Sequence, residues 1–533
     1  DWWGAGAASR GEANYDVVEI LFRPESAVRA AAVEAGEVDI AMWLTPEQCE
    51  SINKRAETRC EGRASPETIV IGMDQVDNPL LGDNRIRKAM ILALDRETMV
   101  DQFFDNQATI ATQMAGPGAF GWNPNLVAHP YDPDQARALV AEAKADGVPV
   151  DEVEIRILIL QEAWSRSDEF ALAFQQALLD IGLNVPELMI RERSTVQPWL
   201  ADKPPSGTRD DNGQAWSIVI PFGHGNEIFD YLGSMGHLRC ENAWSKVCYD
   251  DIDAATVAAG PLTGAERQAA LYDIAELLHE KLYTIPVAHL DLSYGISNRI
   301  DWTIPLDHKI IAKHVYPAGT KPAAPATTAA PAAPAASGDG STLRMAVTEE
   351  PAGLDGWRTY KAESGPGMLN MVETLISRDP DTNALVGELA TGWEPVDELT
   401  WRFTLREGVT FHDGSPFNAE VAAFMINMNY SEEYNYEPRL FMGPQISATE
   451  VDDFTIDITT AEPDPILPAR VYMAGITSLK QIQEDPDSYS THPIGSGPYK
   501  FVEWRRGDRL VMEANPDWWG AGAASRGEAN YDV

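Results

Sequence analysis

Four cysteines are the residues of this sequence whose spacing says most about its chemistry. They fall in two close pairs, Cys49 with Cys60 and Cys240 with Cys248. An even number of cysteines in local pairs favours two disulfides and an oxidising compartment. Reduced thiols in a cytosolic protein are the alternative. A zinc site is disfavoured, because neither pair has the C-x2-C spacing and the nearby histidines are not at ligand spacing.

Motifs for catalysis are missing from the sequence. A serine hydrolase needs a nucleophile at a strained turn such as G-x-S-x-G, and the nearest string, Gly495-Ser496-Gly497, lacks that form. The nine histidines form neither an H-E-x-x-H nor an H-x-E…C-x-x-C pattern. Carboxylates are so numerous that choosing a catalytic pair among them would be arbitrary. We therefore expect a protein that is not an enzyme and holds neither a metal nor a cofactor.

The charge of the chain limits its partners. The 533 residues carry 41 Lys and Arg against 82 Asp and Glu, a formal net charge of −41. Such a surface repels nucleic acid phosphates and anionic lipid, so both partners are disfavoured. The length exceeds what one compact core normally holds, so two or more lobes are expected.

Strands alternate with helices over most of the sequence, which predicts an α/β fold. The segments 15–22, 68–73, 152–159, 216–220, 286–290 and 343–347 read as strands, and so do 401–405 and 454–458. Apolar periodicity predicts helices over 84–104, 134–145, 167–181, 263–282 and 418–429. Residues 43–66 read as a polar segment.

One stretch of 17 residues, D-W-W-G-A-G-A-A-S-R-G-E-A-N-Y-D-V, occurs at 1–17 and again at 517–533. The repeat predicts a ring opened inside this segment. We expect the first copy to supply the strand that continues beyond residue 17 and the second to supply the turn at 517–520. The surplus parts, about 1–10 and 525–533, should then be displaced. An Ala/Pro-rich stretch at 317–341 predicts an extended tether, where the usual termini of such a ring would lie.

Read in ring order, from 342 through 533/1 to 316, the chain resembles a family 5 extracellular solute-binding protein of ABC importers, the class that binds peptides, dipeptides, nickel or oligosaccharides. The family signature W-x-F-x-L-R-x-G-V-x-F-H-D-G-x-P-F-x-A-x-D is similar to residues 401–420. Five further motifs are similar to the segments 493–499, 513–520, 32–40, 83–96 and 240–249. The resemblance covers nearly everything except the tether.

This resemblance implies a two-lobed periplasmic-binding-protein fold with an enlarged lobe I, here circularly permuted. Lobe I would comprise 342–533, 1–73 and the returning segment 286–316, and lobe II would be 74–285. The two crossovers would form a hinge, with the ligand enclosed between the lobes. The segment closed by Cys240 and Cys248 resembles one that is disulfide-closed in dipeptide binders.

The ligand residues implied for lobe II follow the strand at 216–220. They are Phe222, His224, Asn226, Glu227 and Asp230. In family members that bind peptides, this loop carries an aspartate that pairs with the α-ammonium of the ligand. That aspartate is missing here, so Glu227 or Asp230 is expected to substitute. Trp199, before a polar loop, is a further stacking residue.

In lobe I the corresponding loops supply a second set of expected ligand residues. These are Tyr360, Glu363, Ser364, Met473, Ala474, Gly495, Ser496, Gly497 and Trp43. The small residues at 495–497 would allow close backbone approach, and their N–H groups could hydrogen-bond a ligand. Tryptophan faces suit sugar rings and apolar side chains, although most of the 15 tryptophans should belong to the core.

The resemblance implies a binding protein that captures a peptide-like or other small solute and delivers it to the permease subunits of an ABC importer. An oligosaccharide or a metal chelate is the alternative ligand, a hydrolase using the cleft is the alternative class, and a tandem array of such domains is a further reading. The implied location is periplasmic or extracellular, with a lipid anchor on a segment that this chain does not contain. A monomer is expected.

Overall fold

The protein is described here by a computed structural model that covers residues 13–75, 78, 80–160, 164, 166–192, 218–224, 226, 228–235, 238–240, 247–321, 342–351, 353–355, 365–431 and 446–520. The chain divides into two compact units. Unit 1 comprises Asp1–Arg63 and Leu292–Val533, and unit 2 comprises Ala64–Asp291. These boundaries differ from the expected 73/74 and 285/286. The chain passes from unit 1 to unit 2 within the strand at 58–73 and returns within the strand at 285–297, so neither boundary lies in a loop.

The strands of the described residues are, in chain order, β1 Val17–Phe22, β2 Ile40–Ala41, β3 Thr58–Met73, β4 Ala108–Ile110, β5 Arg156–Leu160, β6 Glu187–Arg191, β7 Ile218–His224, β8 Ile285–Ser297, β9 Ile300–Asp301, β10 Tyr316–Pro317, β11 Thr342–Val347, β12 Glu373–Thr374, β13 Ile376–Arg378, β14 Leu385–Gly387, β15 Ala390–Pro395, β16 Thr400–Leu405, β17 Ile446–Asp452, β18 Thr455–Thr460, β19 Gly475–Ile476, β20 Tyr499–Arg505 and β21 Arg509–Ala514.

The helices are α1 Ser26–Glu34, α2 Pro46–Asn53, α3 Asn84–Leu92, α4 Arg96–Phe103, α5 Pro133–Ala145, α6 Ser167–Asp180, α7 Tyr231–Met235, α8 Asp250–Ala259, α9 Gly264–Lys281, α10 Gly365–Met368, α11 Ala419–Tyr430, α12 Leu467–Val471 and α13 Leu479–Glu484. Short 3-10 turns occur at Ala312–His314 and Pro486–Ser488. None of these helices is both long enough and apolar enough to cross a bilayer.

The main sheet of unit 1 has the strand order β20-β21-β1-β11-β2-β8. β1 is its central element: it pairs in parallel with β11 from Val17 opposite Thr342 to Phe22 opposite Val347. On its other side it pairs antiparallel with β21. Inward and outward positions alternate along β1, as expected for a strand with one face on the core. A separate four-stranded antiparallel sheet has the order β15-β16-β18-β17.

Both copies of the 17-residue repeat contribute to unit 1, in the predicted division. Ala13 to Val17 of the first copy lead into β1, where Asn14 Nδ2 donates to the carbonyl of Val315 at 2.8 Å. Asp517 to Gly520 of the second copy follow β21 and end in a turn, with Trp518 buried. The expectation that the surplus parts are displaced concerns residues outside the described ranges.

Unit 2 is built on the strand order β8-β3-β7-β5-β6, with β4 paired to β8. Its core joins β3 and β5 to α6 through Ile71, Ile157 and Phe174. The single helix predicted over 84–104 is wrong, because two helices, α3 and α4, occupy it. The carboxylate of Asp95 accepts the backbone N–H of Thr98 at 3.1 Å and so starts a new helix.

The segment 43–66, predicted only as polar, holds α2 and the first part of β3. Thr45 and Gln48 form a reciprocal capping box that begins α2. Both predicted disulfides are confirmed: Cys49 is bonded to Cys60 in unit 1 and Cys240 to Cys248 in unit 2. Neither disulfide connects the residues before the Ala/Pro-rich stretch to those after it.

Unit 1 is therefore assembled from two sequence blocks, one ending at residue 321 and one beginning at 342, that adhere through non-covalent contacts. Besides the pairing of β1 and β2 with β11, Arg344 Nε bonds Glu19 Oε2 at 2.6 Å and Lys321 Nζ bonds Asp381 Oδ1 at 3.0 Å. Arg299 donates to the carbonyl of Thr342 at 3.2 Å. These contacts join the two blocks directly, without using residues 322–341.

We predict that cutting an engineered protease site within 322–341 leaves the two fragments associated. Size-exclusion chromatography should give one peak containing both fragments, which separate only in denaturant. Because the cut makes the assembly bimolecular, its melting temperature should become dependent on protein concentration. The uncut chain, treated with the same protease but lacking the site, is the control. Two peaks under native conditions would contradict this prediction.

Candidate functional site

Trp43 follows β2 in unit 1 and has a left-handed backbone, with φ of 50°. A bulky side chain disfavours this conformation at a cost of order 1–3 kcal/mol, so neighbouring contacts must fix it. Buried Arg29 supplies one such contact: NH2 donates to the carbonyl of Trp43 at 3.0 Å, and Nε to that of Met42 at 2.7 Å. Burial lowers the pKa of Arg29 to about 10, which still leaves the guanidinium charged at neutral pH.

The indole of Trp43 is joined to a second left-handed residue through a tyrosine. Trp43 Nε1 donates to the hydroxyl of Tyr294 at 3.3 Å, and that hydroxyl lies 3.0 Å from His308 Nδ1. The rings of Tyr294 and His308 stack with centroids 5.7 Å apart, and Trp302 meets Tyr294 edge-on at 5.3 Å. His308 has φ of 55°. Two strained backbone positions are thus connected by one hydroxyl group.

The neighbours of His308 extend this arrangement to Tyr472. The Tyr472 hydroxyl donates to Asp307 Oδ2, and Lys309 Nζ lies 3.8 Å from the centre of the Tyr472 ring. The Arg378 guanidinium lies 5.3 Å from the same ring. Such placements are attractive because the ring face is electron-rich. We call Trp43, Tyr294, Trp302, His308 and Tyr472 the aromatic cluster.

Exposure separates Trp43 from the rest of the aromatic cluster. Tyr294 is 0% exposed, His308 and Tyr472 are each 4% exposed and Trp302 is 5% exposed, whereas Trp43 is only half-buried. Trp43 is therefore the most exposed member of the cluster, and the buried Tyr294 holds its indole through a hydrogen bond. Sequence reasoning singled out Trp43 but missed Tyr294 and His308, which approach it from segments about 250 residues away.

The loop at 495–497 binds the protein itself. A Cβ atom on Gly495 would collide with the carbonyl of Met371, and one on Gly497 would lie 2.7 Å from the same oxygen. The backbone N–H of Gly497 donates to that carbonyl at 2.9 Å. The glycines do permit close backbone approach, but the hypothesis that the N–H of Gly497 is free for a ligand is wrong. Met473 and Ala474, also expected at the ligand, are 1% and 0% exposed.

Ser496 belongs to a buried polar group that we call the Glu373 socket, comprising Glu373, Glu388, Lys313, Arg406 and Ser496. Ser496 Oγ donates to Glu373 Oε2 at 2.9 Å, and Lys313 Nζ lies 3.6 Å from Glu373 Oε1. Lys313 also pairs with Glu388, and Arg406 Nε donates to the carbonyl of Glu388 at 2.9 Å. Burial, opposed by Lys313 and assisted by Glu388, raises the pKa of Glu373 to about 7.

In unit 2, Asp230 is the partner of a buried arginine. Arg267 Nε and NH2 approach the two Asp230 oxygens at 3.0 and 2.8 Å, and the side chains are 1% and 5% exposed. The N–H of Leu232 donates to the same carboxylate at 2.9 Å. Asp230 was expected to substitute as the partner of a ligand's ammonium group. That expectation is corrected, because both of its carboxylate oxygens are already paired with Arg267.

The other predicted residues of this loop divide into structural and undescribed ones. Asn226 is 2% exposed and donates to the carbonyl of Asp230 at 2.9 Å and to Ser234 Oγ at 3.0 Å, so it shapes the loop. Phe222 is half-buried against the core that contains Tyr231 and Leu271. His224 ends β7 opposite Thr68. Glu227, Trp199, Tyr360, Glu363 and Ser364 lie outside the described residues.

Within the residues that the structure describes, no group of three or more His, Cys, Asp or Glu side chains is placed to hold a metal ion. The described geometry offers in unit 1 a half-buried indole that is held by Tyr294 and by the buried guanidinium of Arg29. This arrangement suits binding by apolar contact and stacking.

Known proteins resemble the chain as follows. The family model described as "Bacterial extracellular solute-binding proteins, family 5 Middle" matches residues 1–218 and 384–533, more than half of the chain. The glutathione-binding protein GsiB of Pectobacterium atrosepticum is 33% identical over 187 residues, 33% of this chain and 35% of that protein. The probable di/tripeptide-binding protein 5 of Pseudomonas aeruginosa is 24% identical over 292 residues, 52% of this chain and 51% of that protein.

The chain thus spans about a third to about half of the length of these two curated relatives. Among solved structures, HbpA2 from Haemophilus parasuis aligns with a TM-score of 0.46 at 18% identity, covering 55% of this chain and 57% of that one.

The pair of Asp230 and Arg267 yields a stability prediction. Asp230→Asn should lower the free energy of unfolding by about 3–5 kcal/mol, because it leaves a buried guanidinium unpaired. Asp230→Asn combined with Arg267→Met should cost much less than the sum of the single changes. The matched control is Asp457→Asn, which breaks the more exposed pair with Arg402 and should cost far less than Asp230→Asn. Urea unfolding measures the stability of Asp230→Asn, Arg267→Met, the double variant and the control. Unchanged stability of Asp230→Asn together with lost solute binding would assign the carboxylate to the ligand.

Glu373 yields a pH prediction. Its pKa is about 7 in the folded protein against the ordinary 4.5, so the folded state binds a proton that the unfolded state releases. This contribution to stability is fully present below pH 4.5 and is lost as pH rises through 7. Relative to Glu373→Gln, the wild type should therefore lose up to about 3 kcal/mol of unfolding free energy across that range. A difference between the two proteins that does not change with pH would contradict the assignment.

Proposed function

Because the chain belongs to family 5 of the bacterial extracellular solute-binding proteins, we propose that it captures a peptide-like or other small solute outside the cytoplasm and delivers it to the permease subunits of an ABC importer. The family match over residues 1–218 and 384–533 is the observation that carries this proposal. In this function the bound solute shifts the conformational equilibrium of the protein, and no chemical product is formed. The proposed activity is therefore binding and not catalysis.

The aromatic cluster supports a role in solute binding. A half-exposed tryptophan offers a large apolar face at little cost in side-chain freedom, since its neighbours already fix it. Arg29 and Tyr294 hold the backbone and the indole of Trp43, so its orientation exists before the ligand arrives. We propose that Trp43 packs against an apolar or planar part of the solute.

A short peptide is the solute that the relatives favour. Two of them carry names that specify glutathione and di- or tripeptides, and glutathione is itself a tripeptide. With Asp230 committed to Arg267, Glu227 remains the sequence-based candidate for the ammonium group of such a peptide. An oligosaccharide is the second candidate, favoured by the exposed indole face of Trp43, which suits a sugar ring. Metal-chelate binding and hydrolysis rest on no observation in the described residues.

The proposal includes a circularly permuted chain order and an anchored location. Support for the order comes from β1, which sits between β11 and β21, and from the shared use of both repeat copies. We propose a monomer, tethered to the membrane by a lipid anchor.

Mass spectrometry of small molecules released from the denatured purified protein identifies the solute class. Thermal unfolding with di- and tripeptides, glutathione and oligosaccharides then ranks the ligands, because binding to the folded state raises the melting temperature. We expect Trp43→Ala to weaken binding of the best ligand about tenfold, a loss of about 1.4 kcal/mol.

The control for Trp43→Ala is Trp504→Ala, which removes a tryptophan of β20 outside the aromatic cluster and should leave affinity unchanged. Equal affinity of Trp43→Ala and the wild type would remove Trp43 from the site. Chemical turnover of any bound compound would overturn the binding function itself.

A further inference from the structure

The Glu373 socket holds the second copy of the repeated segment by several specific contacts. Trp518 Nε1 donates to Glu373 Oε1 at 3.1 Å, and Trp519 Nε1 donates to Oε2 at 2.7 Å. The Arg406 guanidinium lies 4.2 Å from the centre of the Trp519 ring. A Cβ atom on Gly520 would collide with the Trp518 ring, so only glycine fits at that position. The socket therefore recognises two adjacent indoles followed by glycine.

Filling the socket matters for unit 1. Glu373 is 1% exposed, and losing both indole donors would leave buried carboxylate oxygens with fewer hydrogen bonds. An unsatisfied buried polar group of this kind is costly. Any segment that restores the same donors is therefore favoured to bind there.

The first copy of the repeat carries the same four residues, Asp1, Trp2, Trp3 and Gly4. Its other end is fixed beside the socket: Asn14 Nδ2 donates to the carbonyl of Lys313 at 3.1 Å, while the ammonium of Lys313 lies 3.6 Å from Glu373. Nine residues, 5–13, connect Gly4 to Asn14, and a chain of that length reaches up to about 30 Å. The first copy can therefore reach the socket without disturbing β1.

We propose that the Glu373 socket is a recognition site for the Asp-Trp-Trp-Gly segment and that residues 1–4 are its second occupant within the same chain, taking the place of residues 517–520 when these are removed. The second copy is favoured over the first for binding in the socket. Asn515 Nδ2 donates to the carbonyl of Gly497 at 3.1 Å, and its N–H donates to that of Pro498 at 2.7 Å. This anchor lies two residues before Asp517 and gives the second copy the higher effective concentration.

The test replaces the two tryptophans of each copy by alanine, first in one copy at a time and then in both. The variants are Trp518→Ala with Trp519→Ala, Trp2→Ala with Trp3→Ala, and all four together. The change in the first copy should leave the melting temperature unchanged, and the change in the second should lower it modestly. The melting temperature of the quadruple variant should fall at least about twice as far as that of the second-copy variant. The effects are not additive, because either copy can occupy the socket when the other is altered. Equal drops in the second-copy and quadruple variants would overturn the proposal.

Hydrogen–deuterium exchange gives a readout that does not depend on the quadruple variant folding. The backbone amides of residues 2–4 should exchange more slowly in the second-copy variant than in the wild type. No change in their exchange would overturn the proposal. A drop in melting temperature that is relieved at high protein concentration, together with a dimer in size-exclusion chromatography, would show occupation by a second molecule and overturn occupation within the chain.

A synthetic Asp-Trp-Trp-Gly-Ala-Gly peptide tests the socket alone. It should raise the melting temperature of the quadruple variant, whereas Asp-Ala-Ala-Gly-Ala-Gly should not. Adding Glu373→Gln to the quadruple variant should weaken this rescue, since Glu373 accepts both indole N–H groups. Rescue by both peptides, or by neither, would show that the socket does not recognise the segment.

Discussion

The pairing of β1 with β11 on one side and with β21 on the other is the interaction on which unit 1 depends. It joins residues 17–22 to segments more than 300 positions away in the chain. Hydrogen-bonded strands with one apolar face have a fixed register, because a slip of one residue would turn the core side chains towards solvent. The sheet is therefore assembled in one register from segments that are far apart in the chain.

Buried charges then fix the backbone of several loops and turns. Arg29 holds the strained backbone of Trp43, Arg267 holds the loop around Asp230, and the Glu373 socket holds the turn at 517–520. In each case a charge removed from water is neutralised or hydrogen-bonded by groups outside its own helix or strand. Such arrangements add little net stability, but removing one partner is costly, so they fix conformation.

The parts of this structure that were predictable from sequence are those set by local rules. The alternation in β1, the Asp132 cap of α5 and the spacing of the cysteines each act over a few residues. The role of Asp230 was not predictable, because its partner lies 37 positions away on α9. The residues around Gly497 in the sequence do not show whether its backbone approaches a ligand or, as found, the carbonyl of Met371. The support of Trp43 by Tyr294 and His308 likewise exists only once β2 and β8 are adjacent.

On this account, unit 1 folds as one cooperative unit, built from residues 13–63 and 292–321 before the Ala/Pro-rich stretch and from residues 342–520 after it. Native-state hydrogen exchange tests it most directly, since it reports the opening free energy of each strand separately. The account predicts that amides in β1, β11 and β21 exchange only with a shared opening and with the same dependence on denaturant. If β11 and β21 exchanged through an opening that leaves β1 and β2 protected, the blocks would be separate folding units and the account would be contradicted.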